Sequence, residues 1–138
     1  QRPNLENWIQ DHEAHEWVHL LGRVSRDDLR DLYRRSWLIT SASLAEGWGL
    51  TLTEAAGCGT PAVATDIGGH RSSVIDKVTG QLVPLEELGS SCAALLGSDR
   101  LRAELGRQAF ERARTLSWDR LAAEVLQPLY RQVMDRVS

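Results

Sequence analysis

Apolar positions along this chain fall into two patterns. Short unbroken runs, too short for a helix, are separated by stretches in which apolar residues return every third or fourth position. Leu5, Trp8 and Ile9 have helical spacing and predict a short helix over 4–12. The run EWVHLLGRV (16–24) is rich in Val and Leu and broken by Gly22, which predicts a strand running into a loop. Ser25 has the chemistry of a helix N-cap, with Asp28 three residues on, because its hydroxyl can accept from a first-turn amide. Leu29, Leu32 and Tyr33 then form the apolar face of a helix ending near Ser36. The runs WLITS (37–41) and PAVAT (61–65) predict buried strands, and a further strand is expected over 78–84. Between them, 44–49 is a glycine-bearing loop, 50–57 a helix closed by Gly57 and Gly59, and Gly68-Gly69 a loop. The remainder reads as helices over 91–96, 100–116 and 119–138.

Short apolar strands alternating with helices predict a parallel sheet covered on both faces, a doubly wound α/β domain spanning 1–138. Ligands of such sheets bind outside the carboxyl ends of the strands. Two loops qualify by position, 41–49 and 66–70.

Composition changes this picture little. The 138 residues suit one domain, with 42% hydrophobic and 25% charged residues. A net charge of −3 argues against a general nucleic-acid binder, and no apolar run approaches the roughly 18 residues a membrane span needs. The chain starts at Gln1 and its one methionine is Met134, so a processed chain or an excised piece is expected. Cys58 and Cys92 have no framework spacing and read as reduced, buried residues, which favours a cytoplasmic setting.

The stretch with chemistry is Glu46-Gly47-Trp48-Gly49-Leu50-Thr51-Leu52-Thr53-Glu54. It leads from a strand end into a helix, where the amides of Gly49, Leu50 and Thr51 are expected to be unpaired and suited to phosphate. Glu46 precedes this site. Glu54 lies about 7.5 Å beyond Gly49 along the helix. A carboxylate accepts hydrogen bonds only, which suits a sugar diol. A phosphate site flanked by two carboxylates suggests a sugar–diphosphate–ribose ligand. The spacing alone leaves open a glycine-rich turn with two solvated glutamates, and the acid–base pair of a hydrolase is a weaker reading.

Several motifs in order carry a resemblance. The two glutamates, EGWGLTLTE, fit an E-x7-E motif, followed by AAGCGTPAVA (55–64), the double glycine 68–69, VTGQLV (78–83) and Ser117-Trp118. From Asn4 to Tyr130 the chain resembles the C-terminal, nucleotide-sugar-binding domain of GT-B glycosyltransferases of the GT4 type. The resemblance implies retaining transfer of a hexose from a UDP- or GDP-sugar without a divalent metal or other cofactor. It implies that Glu46 is catalytic, meeting sugar hydroxyls and stabilising the transition state. Glu54 is implied to hold the ribose, the backbone at Gly47, Trp48 and Gly49 the sugar, and the amides of Leu50 and Thr51 the diphosphate. Backbone at Val24 is implied to meet the base. The acceptor, a glycan, lipid or small molecule, is expected on a separate N-terminal domain. The basic pair that grips the diphosphate in the family is expected upstream of Gln1.

The sequence departs from the family in two places. Gly-Trp-Gly stands where the family has Gly-Phe-Gly, and Ser72 stands where many members have a glutamate. The isolated chain is expected to bind nucleotide weakly without transferring sugar. The alternative is a nucleotide-binding or interaction module with no catalysis of its own. His12, His15 and His19 read as surface residues rather than metal ligands, and His70 as a surface residue rather than a donor contact. Trp118 reads as a core or interdomain anchor. The Arg-rich face of 100–114 reads as solvated, with contact of the full enzyme with an anionic membrane as the sharper alternative.

Overall fold

The computed structural model describes residues 2–137. Three strands, β1 (Ile39–Ser41), β2 (Ala62–Thr65) and β3 (Gly80–Val83), form a parallel sheet in the order β1-β2-β3. Val63 lies opposite Thr40 on one side and Gln81 on the other. The helices are α1 (Arg2–Asp11), α2 (Arg26–Arg35), α3 (Leu50–Ala56), α4 (Gly68–Ser73), α5 (Leu88–Leu96), α6 (Asp99–Thr115), α7 (Trp118–Leu121) and α8 (Gln127–Val137).

The central strand explains the two-faced architecture. All four residues of β2 are buried, and successive side chains point to opposite faces. Ala62 and Ala64 pack with Leu52 of α3 and with Val74, joined by Ile39 and Leu82. Val63 faces the other way, onto Leu95 of α5 and Leu105 of α6. The apolar run of β2 thus serves two cores, the doubly wound α/β arrangement expected. Helix α6 also closes on the turn between α3 and β2. A Cβ on Gly106 would collide with the carbonyl oxygen of Gly59.

The caps follow their local chemistry. Ser25 accepts from the amide of Asp28 and donates to its carboxylate, and Ser98 accepts from the amide of Leu101.

Several sequence expectations are corrected. The strand over 16–24 does not form. A strand needs a neighbour for its N–H and C=O groups, and among the described residues none pairs with this segment. Its start is instead a turn, with the amides of Trp17 and Val18 bonded to the carbonyl of Ala14, and Trp17 and Leu21 are 68% and 57% exposed. The 37–41 run pairs only over β1, and the 78–84 run only over β3. Gly68-Gly69 is the first turn of α4, not a loop. The helix expected from 91 begins at Leu88, after a 3₁₀ turn over Leu85–Glu87. The last helix is interrupted by a π turn at Ala122–Leu126. Pro128 follows that turn; it lacks an N–H and crowds the carbonyl four residues earlier, so the regular ladder widens. Both cysteines are free but half-buried rather than buried. The Trp118 side chain lies outside the described residues. Among these residues no helix is long and apolar enough to cross a membrane.

The Arg-rich face of α6 is also not uniformly solvated. Arg107 and Arg114 pair with Glu104 and Glu111 at the surface. The Arg102 side chain is only 10% exposed. Its guanidinium donates to the carbonyls of Leu95 and Leu96 at the end of α5, pairs with Asp99, and lies 4.5 Å from the Trp37 ring centroid. Carbonyls at a helix end have no partner of their own helix, and a cation there also complements the dipole. Arg102→Ala is expected to lower stability by about 1–3 kcal/mol, from lost charge-assisted hydrogen bonds and stacking. Arg107→Ala is expected to stay within about 0.5 kcal/mol. Urea titration of both variants checks this.

Candidate functional site

The chain leaves β1 at Ser41 and enters α3 at Leu50, at the carboxyl end of the strands. This turn is tied to the neighbouring strand. The Thr65 hydroxyl, at the end of β2, donates to the carbonyl of Ser43 over 2.5 Å. It also rests on α4. A Cβ on Gly69 would stand 2.8 Å from Glu46 Cβ and closer still to the Glu46 carbonyl group, so only glycine allows this approach. Gly49 is required twice over. Its φ of +80° is left-handed, and a Cβ there would meet Ser73 Oγ at 3.1 Å and His70 Cδ2 at 3.2 Å.

His70 corrects the surface assignment, for it is 0% exposed beneath this turn. Its Nδ1 lies 2.8 Å from the Thr65 carbonyl, which can only accept, so Nδ1 carries the proton. Its Nε2 lies 3.2 Å from Ser41 Oγ. Placing both ring nitrogens against polar groups is what permits burial of an imidazole. Asp66 and Arg71 brace the same corner from outside, with Nε and Nη2 of the arginine 2.6 and 2.9 Å from the two carboxylate oxygens. Arg71's hydrogen bonds, and then its charge, hold the Asp66 carboxyl below the usual carboxylate range.

Glu46 is exposed, and its Oε1 accepts from Ser43 Oγ over 3.1 Å. Gly47 has open space around it. The indole Nε1 of Trp48 donates to Thr53 Oγ1 over 3.0 Å, which ties the ring to the start of α3. The amides of Leu52 and Thr53 bond the carbonyl of Gly49. Leu50 and Thr51 sit ahead of them, where a helical amide has no carbonyl four residues back. Glu54, also exposed, accepts from the Tyr33 hydroxyl of α2 over 3.3 Å. Burial pushes the Tyr33 phenol up from its ordinary pKa, and the charge and hydrogen bond of Glu54 push it further.

The structure therefore brings Glu46, Gly47, Trp48, Gly49, Leu50, Thr51 and Glu54 into one turn-and-helix unit. Val24 belongs to a different segment, half-buried and just before the α2 cap, nine residues ahead of Tyr33 in the chain. Sequence reasoning missed Ser43, Thr65, His70 and Tyr33. Only the double glycine signalled the seat under Glu46, and the sequence reading placed it in a loop. Ser72, at the family's acidic position, donates to the carbonyl of Gly68 over 3.4 Å. His12 stacks on Trp8 with ring centroids 4.1 Å apart. Among the described residues no group of three His, Cys, Asp or Glu is arranged to hold a metal.

Two adjacent glycines separate packing from chain flexibility. A Cβ on Gly68 meets nothing within 4 Å, so Gly68→Ala is expected to be neutral or to stabilise by about 0.4–1 kcal/mol. Gly69→Ala is expected to cost about 1–3 kcal/mol by overpacking and to shift the Glu46 backbone resonances. Melting curves and amide NMR spectra of the two variants check the contrast.

Known proteins resemble this chain in sequence and in fold. The family model for glycosyl transferases group 1 matches residues 1–112. A D-inositol 3-phosphate glycosyltransferase of Kribbella flavida is 34% identical over 118 residues, covering 83% of this chain and 28% of that protein. Sucrose-phosphate synthase from Thermosynechococcus elongatus superposes with a TM-score of 0.86 at 29% identity, covering 98% of this chain and 35% of the synthase. Anabaena HepE in complex with UDP-glucose superposes with a TM-score of 0.74 at 26% identity, covering 82% of this chain and 32% of HepE. The chain thus spans between 28% and 35% of the length of these relatives. With its parallel sheet, its carboxylate-bearing turn and this family match, the chain belongs to the glycosyl transferases group 1 and has the Rossmann-like fold of the C-terminal half of a GT-B glycosyltransferase.

Proposed function

We propose that this chain is the donor-binding half of a retaining hexosyltransferase of the GT4 type, whose donor is a UDP- or GDP-sugar. The observation that carries the reading is the 46–54 unit. Two exposed carboxylates flank a helix start whose first amides lack intrahelical partners, at the carboxyl end of a parallel sheet. The complex of the related HepE with UDP-glucose supports a donor of this chemistry.

In this reading the ribose diol donates to Glu54, and the diphosphate faces the amides of Leu50 and Thr51. The sugar lies against the backbone of Gly47, Trp48 and Gly49, with Glu46 beside it, and backbone near Val24 meets the base. As the bond from the anomeric carbon to the diphosphate breaks, positive charge grows on the sugar and negative charge on the leaving oxygen. Glu46 stabilises the first and the helix amides the second. Because the turn rests on Gly69 and His70, these groups are held in place before the reaction, which is where fixed dipoles are most effective. No divalent metal or other cofactor is assigned a part. The acceptor, a glycan, lipid or small molecule, is assigned to the portion of a relative-length protein that this chain does not match. In this reading the whole protein works in the cytoplasm, and peripheral contact of the full enzyme with a membrane surface is the alternative.

Isothermal titration with UDP and GDP tests the donor site. One of the two is expected to bind weakly, and Glu54→Gln to weaken it by about 10- to 150-fold, the worth of hydrogen bonds to a charged group. Equal affinity of wild type and variant would sink the ribose assignment. A sugar-transfer assay on the chain alone is expected to read zero, and sustained turnover would overturn the half-site reading.

A further inference from the structure

We propose that Tyr33 is a positioning residue for Glu54, and that through Glu54 it lets the site discriminate ribose from 2′-deoxyribose in a nucleoside diphosphate. The inference rests on the reading of Glu54 as the ribose acceptor and extends it to a residue on a different helix.

Tyr33 is held from two sides. Its carbonyl accepts from the hydroxyl of Thr60 over 2.5 Å and from the amide of Ser36 over 3.1 Å. Thr60 is 3% exposed and belongs to the turn between α3 and β2. The last turn of α2 is therefore tied to the far end of α3. From that anchor the half-buried phenol, a rigid ring with few rotatable bonds, reaches Glu54 and donates to Oε2 over 3.3 Å. Glu54 is exposed, and a free glutamate at such a position samples several rotamers. Among the described residues, the Tyr33 hydroxyl is the partner that its carboxylate has.

The remaining acceptor sites suit a diol. A carboxylate has two oxygens and about four lone-pair sites, and the phenol, with one proton to give, takes one of them. Oε1 stays open, as does part of Oε2, so two neighbouring ribose hydroxyls can both donate to a carboxylate whose plane is already set. A 2′-deoxyribose offers one such donor. Burial, and then the Glu54 carboxylate, favour the protonated phenol, so Tyr33 remains a donor at neutral pH. Ribose is common to UDP and GDP, so the argument does not depend on the base.

The test measures dissociation constants of UDP, GDP and their 2′-deoxy forms by calorimetry for the wild-type chain, Tyr33→Phe and Glu54→Gln. The wild type is expected to prefer the ribonucleotide. Tyr33→Phe is expected to weaken ribonucleotide binding by roughly three- to tenfold and to shrink the ribose-to-deoxyribose ratio by a similar factor, while deoxynucleotide affinity changes little. A purely structural brace lowers both affinities together and leaves the ratio intact, and that result overturns the inference. So does an unchanged Tyr33→Phe beside a weakened Glu54→Gln, which leaves the donor reading standing. Failure of the wild type to bind either nucleotide, or indifference to Glu54→Gln, overturns the donor reading and this inference with it.

A second readout needs no nucleotide. The sequence holds two tyrosines, so in a Tyr130→Phe background Tyr33 is the one phenol to titrate. Its phenolate absorbance is expected to rise above the ordinary value near 10, and Glu54→Gln is expected to bring the midpoint down. No movement on Glu54→Gln overturns the contact itself.

Discussion

The strand Ala62–Thr65 is buried on both faces, and the two helical layers and both segments of the candidate site take their positions from it. A strand so enclosed has to be apolar and small on the side where a helix comes close, which is where Ala62 and Ala64 stand. Its last residue then changes character. Thr65 is also buried, so its polar atoms need partners, and it finds them in the two site segments. Its hydroxyl bonds the carbonyl of Ser43 and its carbonyl faces Nδ1 of His70. The need to satisfy one buried threonine thus joins the Glu46 turn to the start of α4.

The contacts around that joint are made by residues with little freedom. The Glu46 carbonyl rests on a residue without a Cβ, and Gly49 is both left-handed and crowded by His70 and Ser73. The exposed carboxylates are steadied from partners that are themselves anchored, Glu46 by Ser43 and Glu54 by Tyr33. The site is therefore a surface feature with a buried foundation. Under the proposed function this would suit electrostatic catalysis, since dipoles that are already fixed cost no reorganisation during a reaction.

Much of the molecule was legible in the sequence because its signals are local. The Ser25 cap with Asp28, the start of α3 at Leu50 and the double burial of β2 each follow from a few adjacent residues. The E-x7-E unit and the family were legible for the same reason, since turn and helix carry their chemistry in consecutive positions. The 16–24 run was misread because strand propensity describes a residue's fitness for a ladder and says nothing of whether a ladder neighbour exists. His70 and Arg102 were misread because a polar residue among glycines or on a helix ordinarily faces solvent. Here the burial of each is supported by groups outside its own helix, the hydroxyl of Ser41 facing Nε2 of His70 and the carbonyls at the end of α5 accepting from Arg102.

By itself the sequence determined the α/β class, the candidate site's location at a strand-to-helix turn, and the residue types exposed there. Hydrophobic period and backbone chemistry act over a handful of neighbouring residues, so the order of amino acids is enough to read them. The tertiary structure alone decided which groups hold that turn in place. Thr65 lies 22 residues from Ser43, Tyr33 lies 21 from Glu54, and Gly69 is 23 beyond the Glu46 carbonyl it seats. Contacts at such separations exist only once the sheet has set the distances between its loops, and no local pattern encodes them.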